Sequence, residues 1–249
     1  MRCTVGYGLL VIHTMLARNR LHKENLITTL MIKKNTSRLL FLVVSLMIVG
    51  LISAIWLRFN SRYLAASLQA EPITLPVVML AQSQPSSCGE AVIAMVYNYA
   101  YPQTPIAEQT VIEYATAEGY FTPATAPYTS PGNMVNIAEY YANNIATGTV
   151  KTSGSGLALL IKKLQNGEPV VIDVLSNFAD PQSEAHFIVV TGLSVDPVQG
   201  NAILVHFNDP FTGKQEITPW AGKEGVWNAW QHNGDPGGAG WWLVISTPE

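Results

Sequence analysis

A single cysteine at the start of a predicted buried helix is the feature that most constrains this chain. The stretch Ala81–Ala100 reads AQSQPSSCGEAVIAMVYNYA. Its first part is polar and turn-forming, and the residues from Cys88 to Tyr99 predict a buried helix. A thiol at such a junction faces the positive end of the helix dipole and the unpaired N–H groups of the first turn, which favours a nucleophilic thiolate. A nucleophilic thiol needs a base, which the rest of the chain has to supply.

Charge divides the chain at about residue 70. Residues 1–69 carry nine Lys and Arg against one acid, whereas residues 70–249 carry five Lys and Arg against sixteen acids. The net charges are therefore +8 and −11, which agree with the total of −3. The acidic second part argues against nucleic acid as a partner. Neither CxxC nor HExxH occurs, so the sequence has no zinc motif, and a mechanism with a thiol nucleophile requires no metal and no organic cofactor.

An apolar segment near the N-terminus predicts a single membrane anchor. Residues 39–57 read LLFLVVSLMIVGLISAIWL, nineteen residues without a charge, close to the roughly 20 that span a bilayer core. From Arg18 onward six Lys and Arg precede it, and two follow it. The positive-inside rule then predicts a basic cytoplasmic segment at 1–38, the anchor at 39–57, and an extracytoplasmic stalk (58–74) and globular domain (75–249).

The same N-terminal segment has other interpretations. A cleaved signal peptide, with SLQA at 67–70 as the cleavage site, would leave a secreted protein, although signal cores are usually only about 7–15 residues long. A buried core helix is the third interpretation. Residues 1–30 fit either an interfacial helix or a start-site artefact, because Met31-Ile-Lys-Lys would make a conventional beginning for an exported protein.

Helices come first and strands second in the globular part, which predicts an α+β domain. After the helix that begins at Cys88, further helices are predicted from Thr104-Pro105 to about Ala117, from Ser130-Pro131 to about Asn143, at Leu157–Gln165 behind a flexible turn at Ser153–Gly156, and at Glu224–Gln231. Strands are predicted at Leu75–Ala81, Pro169–Leu175, His186–Leu193, Ala202–Phe207 and Trp241–Ser246, with Gly213–Thr218 returning toward the sheet.

Three histidines are candidates for the base. His186 is favoured because it opens a strand directly after the polar loop DPQSEA, and such a junction faces the rim of a cleft. His206 lies inside a strand, and His232 lies in a glycine-rich run. Asp209 ends the next strand and is suited to orient an imidazole, with Asn208 as the alternative. Taken singly, each feature also has a structural explanation: a small buried cysteine, a structural histidine, a turn after a strand.

Taken together, these pieces resemble a known family. QSQPSSCGEAVIAMV, HFIVVTGL, HFNDPFTG and PWAGKEGVWNAW are similar to papain-type cysteine peptidases, above all to family 39, the bacteriocin-processing or double-glycine leader peptidases, and its broader relatives. The resemblance covers roughly residues 75–246. It implies a papain-like fold with an N-terminal helical half, a C-terminal antiparallel sheet half, and a cleft between them.

The resemblance also implies roles for single residues. Cys88 would be the nucleophile, His186 the general base, Asp209 the orienting acceptor and Gln82 the oxyanion donor, with Gln84 a weaker candidate for that last role. The implied function is a membrane-anchored, extracytoplasmic thiol hydrolase acting on a peptide or protein. A catalytically inactive peptide- or cell-wall-binding module is the alternative, and acyl transfer by the same residues is a third possibility.

The chain departs from the family pattern at two positions next to the cysteine. The family often has an acidic residue before the cysteine and a proline after the glycine, where this chain has Ser87 and Glu90. A carboxylate at Glu90 would favour the helix but oppose formation of the thiolate.

Overall fold

The structure, a computed structural model, describes residues 45, 47–53, 72–126 and 128–248. Contacts within the chain divide it into two units, Met1–Arg62 and Tyr63–Glu249. In the first unit Ser45 and residues 47–53 are helical. The remainder of the predicted anchor at 39–57 lies outside the described residues, as do the predicted cytoplasmic segment and most of the stalk. Among the described residues, no helix combines the length and the apolar character needed to cross a membrane.

The described part of the second unit contains five helices and seven strands. The helices are α1 (Cys88–Ala100), α2 (Glu108–Ala117), α3 (Pro131–Tyr141), α4 (Ser153–Gln165) and α5 (Val226–His232). The strands are β1 (Ile73–Thr74), β2 (Ile145–Thr149), β3 (Val170–Leu175), β4 (Ala185–Asp196), β5 (Ala202–Asp209), β6 (Lys214–Pro219) and β7 (Trp241–Ile245). The α+β class expected from the sequence is confirmed.

Strand β4 is the centre of the sheet. The order is β2-β7-β3-β4-β5-β6, with β1 also paired to β4, and each of these pairs is antiparallel. The first half of β4 pairs with β3 and its second half with β1, while β5 follows its other edge. Gly192 permits the approach of β1, because a Cβ at this position would lie 2.5 Å from the carbonyl oxygen of Ile73.

Helices cover both faces of this sheet, which corrects the expected division into a helical half and a sheet half. Helices α1, α2 and α3 form one core with Val171 of β3, while α4 and α5 form a second core with Ile172 and Val174 of the same strand. Every residue of β3 is consequently buried. A strand covered on both faces is apolar throughout, as PVVIDVL nearly is. The sheet also takes β2 from the part of the chain that was expected to be helical. Strand β1 comes from the last residues of the predicted stalk (58–74), so the domain begins before residue 75.

Two predictions around α1 were wrong. The segment Leu75–Ala81 is irregular, and the strand lies before it at β1. Pro76 within this segment has no N–H to donate to a neighbouring strand, which disfavours pairing. Helix α2 begins at Glu108 rather than at Thr104-Pro105. The Asn98 side chain bonds the N–H and the carbonyl of Ile106, at 2.7 and 2.9 Å, and so keeps the preceding segment outside the helix.

Two further differences lie between α3 and β3. Ser153–Gly156, predicted as a flexible turn, is the first turn of α4, because Thr152 and Ser155 form a capping box ahead of it. Strand β2 was not predicted at all. Its sequence IATGT is half exposed and contains a glycine, and it pairs with β7, almost a hundred residues further along the chain.

Candidate active site

Three of the predicted site residues meet at one place in the second unit. Cys88 is the first residue of α1, His186 the second of β4 and Asp209 the last of β5. Because β4 and β5 are antiparallel neighbours, the start of one lies beside the end of the other. His186 Nε2 lies 2.7 Å from Asp209 Oδ1, and the Cys88 thiol lies near enough to the same ring to raise its pKa. Since Nε2 is taken by Asp209, Nδ1 is the nitrogen left for the thiol.

The surroundings of His186 favour its charged form. Burial alone would lower its pKa, since the residue is only 7% exposed. The hydrogen bonds to Asp209 and Cys88, together with their negative charge, outweigh burial and raise the pKa of His186 to about 10. Burial opposes ionisation of Asp209, but His186 and the N–H of Phe211, 2.8 Å from Oδ1, lower the pKa of that carboxyl. An imidazolium beside the Asp209 carboxylate is therefore stable at neutral pH.

The other two histidines have partners elsewhere. His206 Nε2 lies 2.7 Å from Ser194 Oγ within the sheet, and burial lowers its pKa. His232 is exposed, and its Nδ1 lies 2.8 Å from the carbonyl oxygen of Asn228 on the same helix. His186 is thus the candidate base that lies beside the cysteine.

Asn208, the alternative orienting residue, is turned away from the histidine. It is buried, and its Nδ2 donates to the carbonyl oxygen of Val77 at 3.1 Å. Its neighbour Asp209 points the opposite way, as adjacent residues of a strand do. Asn208 instead holds the segment before α1 against β5.

Gln82 lies in the loop before α1, and its side-chain amide donates hydrogen bonds within that loop. Its Nε2 donates to the carbonyl oxygens of Gln84 and Pro85, both at 2.8 Å, while Oε1 is buried and has no hydrogen-bond partner within the described residues. Both amide hydrogens therefore brace the loop. The Gln82 N–H donates to the carbonyl oxygen of Pro210 at 2.9 Å, which ties this loop to the residue after Asp209.

Glu108 binds the loop that leads into Cys88, although the sequence pattern did not indicate this role. Its Oε1 lies 2.7 Å from the hydroxyl oxygen of the buried Ser87, and both carboxyl oxygens accept from the N–H of Ser83 at 3.0 Å. In sequence, Glu108 is only an acid in the first turn of α2. The sequence around Glu108 does not indicate that its carboxyl group binds two serines more than twenty residues upstream.

Glu90 is completely buried in the first turn of α1. Its Oε1 accepts a 2.7 Å hydrogen bond from Thr129 Oγ1, and Oε2 has no partner in the described part of the chain. Burial is the main cause that raises the pKa of Glu90 to about 7, helped by the charge of Glu108 and opposed by Thr129. The carboxylate expected to oppose the thiolate is therefore mostly protonated below pH 7.

Two cavities flank this group of residues. The larger, of about 730 Å³, borders His186 and Asp209 and is walled by β6 and by residues 221–225. The smaller borders Cys88, and Tyr128 and Asp235 form part of its wall. No cluster of His, Cys, Asp and Glu side chains among the described residues is arranged to hold a metal ion.

A helix that begins at a cysteine and faces a histidine on an antiparallel sheet defines a papain-like peptidase domain. The chain belongs to the Peptidase_C39 like family, whose model matches residues 74–235. The resemblance to family 39 inferred from the sequence motifs is therefore confirmed, and the matched region contains Gln82, Cys88, His186 and Asp209. No curated protein matches the chain significantly.

Proposed function

We propose that this chain is a thiol hydrolase that cleaves peptide or amide bonds with Cys88 as nucleophile, His186 as general base and Asp209 as the orienting acceptor. The observation that carries the proposal is the position of the His186 ring, which lies 2.7 Å from Asp209 Oδ1 and near enough to the Cys88 thiol for the thiol to raise the pKa of the ring. Membership of a peptidase-like family supports a peptide or protein as the substrate.

The proposed reaction has two steps. Transfer of the Cys88 proton to His186 gives a thiolate and an imidazolium, and the thiolate attacks the substrate carbonyl carbon. The Cys88 N–H, in the first turn of α1 where backbone donors lack helical partners, stabilises the oxyanion; one such donor is typically worth about 2.7–4 kcal/mol. His186 then protonates the leaving amine as the C–N bond breaks and a thioester forms. A water molecule, deprotonated by His186, hydrolyses the thioester and restores the thiol.

Gln82 is proposed as the second oxyanion donor, on the condition that its side-chain amide first gives up one of its present hydrogen bonds. Its amide hydrogens are bound to the carbonyl oxygens of Gln84 and Pro85. Donation to an oxyanion therefore requires that one of these bonds be exchanged when substrate binds. Part of the free energy that Gln82 contributes to the transition state is offset by the lost loop bond.

The proposal is tested by the alkylation rate of Cys88 with iodoacetamide and by hydrolysis of a peptide library, both with the full chain. We expect Cys88 to react faster than free cysteine at pH 6, and His186→Ala to lower hydrolysis by about 10²-fold or more. His232→Ala, an exposed histidine away from the thiol, is the matched control and leaves both rates unchanged. A thiol no more reactive than free cysteine, and insensitive to His186→Ala, means that the chain is not such an enzyme.

We also propose that residues 39–57 anchor the protein, with the catalytic domain outside the cytoplasm. The support is in the sequence: nineteen uncharged residues with more basic residues before them than after them.

A further inference from the structure

We propose that the smaller cavity beside Cys88 is a specificity pocket for a positively charged substrate side chain, an inference that rests on the proposed hydrolase function. Glu184 and Asp235 line this cavity together with Cys88, and none of the described residues around it is basic. Cys88 itself forms part of the wall, so a group held there lies next to the bond under attack.

The position of the cavity assigns it to one side of that bond. His186 borders the larger cavity, whereas Cys88 borders the smaller one. Because His186 protonates the leaving amine, the leaving part of the substrate lies on the side of the larger cavity. The acyl part, which becomes bonded to sulfur, then extends past Cys88 toward Asp235.

A buried acid underlies this pocket. Asp173 on β3 is 0% exposed, and neither carboxyl oxygen has a hydrogen-bond partner of good geometry in the described part of the chain. Asp173 stands opposite Phe187 in the β3–β4 register, and Phe187 lines the cavity. Since directly opposed residues project from the same face of a sheet, Asp173 lies on the face that carries the cavity, behind the residues that line it.

Asp173 and Asp235 interact with each other, and the positive charge of His186 offsets only part of the effect of burial and of Asp235 on the pKa of Asp173. Burial, and after it the charge of Asp235, raise the pKa of Asp173 well above its usual range. Burial likewise raises the pKa of Asp235. Two close carboxyl groups do not ionise together unless a positive charge joins them. An ammonium group that enters the cavity comes next to Glu184 and Asp235 and supplies positive charge beside the buried pair.

The chain holds this pair in place with a short loop. Asn233 Nδ2 donates to the backbone carbonyl of Asp173 at 2.8 Å, and Asn233 Oδ1 accepts from the N–H of Asp235 at 3.3 Å. Gly238 packs on the Asp173 carboxyl so closely that a Cβ there would clash with it. The cavity is about 40 Å³ in volume, which suits a compact ammonium better than a large ring. Lysine is therefore the side chain to test.

The first experiment does not depend on catalysis. Cys88 in the full chain is modified with 2-aminoethyl methanethiosulfonate, a cation, and with 2-sulfonatoethyl methanethiosulfonate, an anion, and modification of Cys88 is followed by peptide mass spectrometry. Relative to free cysteine, we expect the cation-to-anion rate ratio to be raised roughly tenfold. Asp235→Asn and the exposed Glu184→Gln should each lower that ratio, while Glu139→Gln, an equal charge change on α3 outside the cavity, should not. A ratio equal to that of free cysteine, or equal effects of all three variants, overturns the pocket.

The second experiment separates the pocket from the proposed function. Two sets of peptides differ only by lysine or norleucine at each position on the acyl side of the scissile bond. We expect kcat/KM to favour lysine roughly tenfold at one position, and Glu184→Gln or Asp235→Asn to reduce that preference. Cleavage of both sets at equal rates refutes the pocket and leaves the hydrolase standing. No cleavage of either set, with the cationic reagent still preferred, refutes the hydrolase and leaves the pocket.

Discussion

At the scale of single residues, the burial of Glu90 sets how the stability of this domain responds to pH. The ordinary pKa is 4.5 and the folded value is about 7. Between these values the unfolded chain loses a proton that the folded chain keeps, so the free energy of unfolding falls as pH rises. The contribution is fully present below pH 4.5 and is lost by the time pH has risen through 7. Its size is about 3 kcal/mol.

Glu90→Gln should abolish this dependence. The variant copies the protonated side chain and keeps an oxygen that accepts from Thr129. The free energy of unfolding is measured by urea denaturation for the variant and for the original chain. The difference in favour of the variant should be larger at pH 8 than at pH 5 by a few kcal/mol. Glu139→Gln, at an exposed position, serves as the control, and its free energy of unfolding should differ from that of the original chain by the same amount at both pH values. An unchanged slope in Glu90→Gln would show that Glu90 ionises normally in the folded protein.

A separate prediction concerns Asp209 and the alkaline limit of activity. The carboxylate helps to raise the pKa of His186 to about 10, so the imidazolium persists well above pH 7. Asp209→Asn keeps an acceptor oxygen but loses the charge, and the alkaline limb of the pH profile of peptide hydrolysis should move to lower pH. Asp209→Ala should in addition lower hydrolysis by about 10²-fold. Asp196→Asn, at the far end of β4, is the control, and an unmoved alkaline limb in Asp209→Asn would contradict the proposed pairing.

The residues that sequence reasoning found differ physically from those it missed. His186 and Asp209 each stand where a strand meets a loop, and such junctions can be read from an apolar run and its polar boundary. Asp173 sits inside PVVIDVL and looks like one polar position in a buried strand. Its partner Asp235 is 62 residues away, and only the fold brings the two together. Glu90 stands out in the sequence as a departure from the family pattern, but its protonation depends on burial, which no local pattern indicates.

At the scale of elements, the loop before α1 and the start of α2 act as one unit. Glu108 on α2 holds both Ser83 and Ser87, and Ser87 is the residue directly before the nucleophile. Glu108→Gln should weaken these bonds, destabilise the domain by about 1–3 kcal/mol and slow Cys88 alkylation. Glu113→Gln is the matched control on the same helix, because Glu113 contacts only the exposed Gln109 among the bonds observed. Equal stability and equal alkylation rates for the two variants would mean that Glu108 does not position the thiol.

Elements with local signals were predicted well, and those that depend on distant partners were not. Helix α3 begins after Ser130, whose Oγ accepts from the Asn133 N–H as a cap should. Helix α4 ends before Gly167, which has the positive φ of 76° that favours glycine. Strand β2, in contrast, has a weak sequence pattern and exists because β7 pairs with it.

At the scale of the whole molecule, the opposite charges of the two parts of the chain fit a protein held at a membrane. The full chain should sediment with membranes and be released by detergent but not by salt, whereas a chain lacking residues 1–70 should be recovered in the supernatant. Protease added to intact cells whose outer layer is permeabilised should degrade the catalytic domain. Release of the full chain by salt alone, or complete protection from the protease, would refute the proposed anchor or its orientation.

The central position of β4 has a consequence for the newly made chain. The proposed nucleophile is residue 88, but the proposed base and its acceptor are residues 186 and 209, on strands that pair only after both have been made. At about 5–20 residues per second, synthesis of the intervening 121 residues takes roughly 6–24 s. During that time the thiol has neither its base nor the wall of its pocket. The order of the chain thus delays assembly of the proposed catalytic residues until the domain is nearly complete.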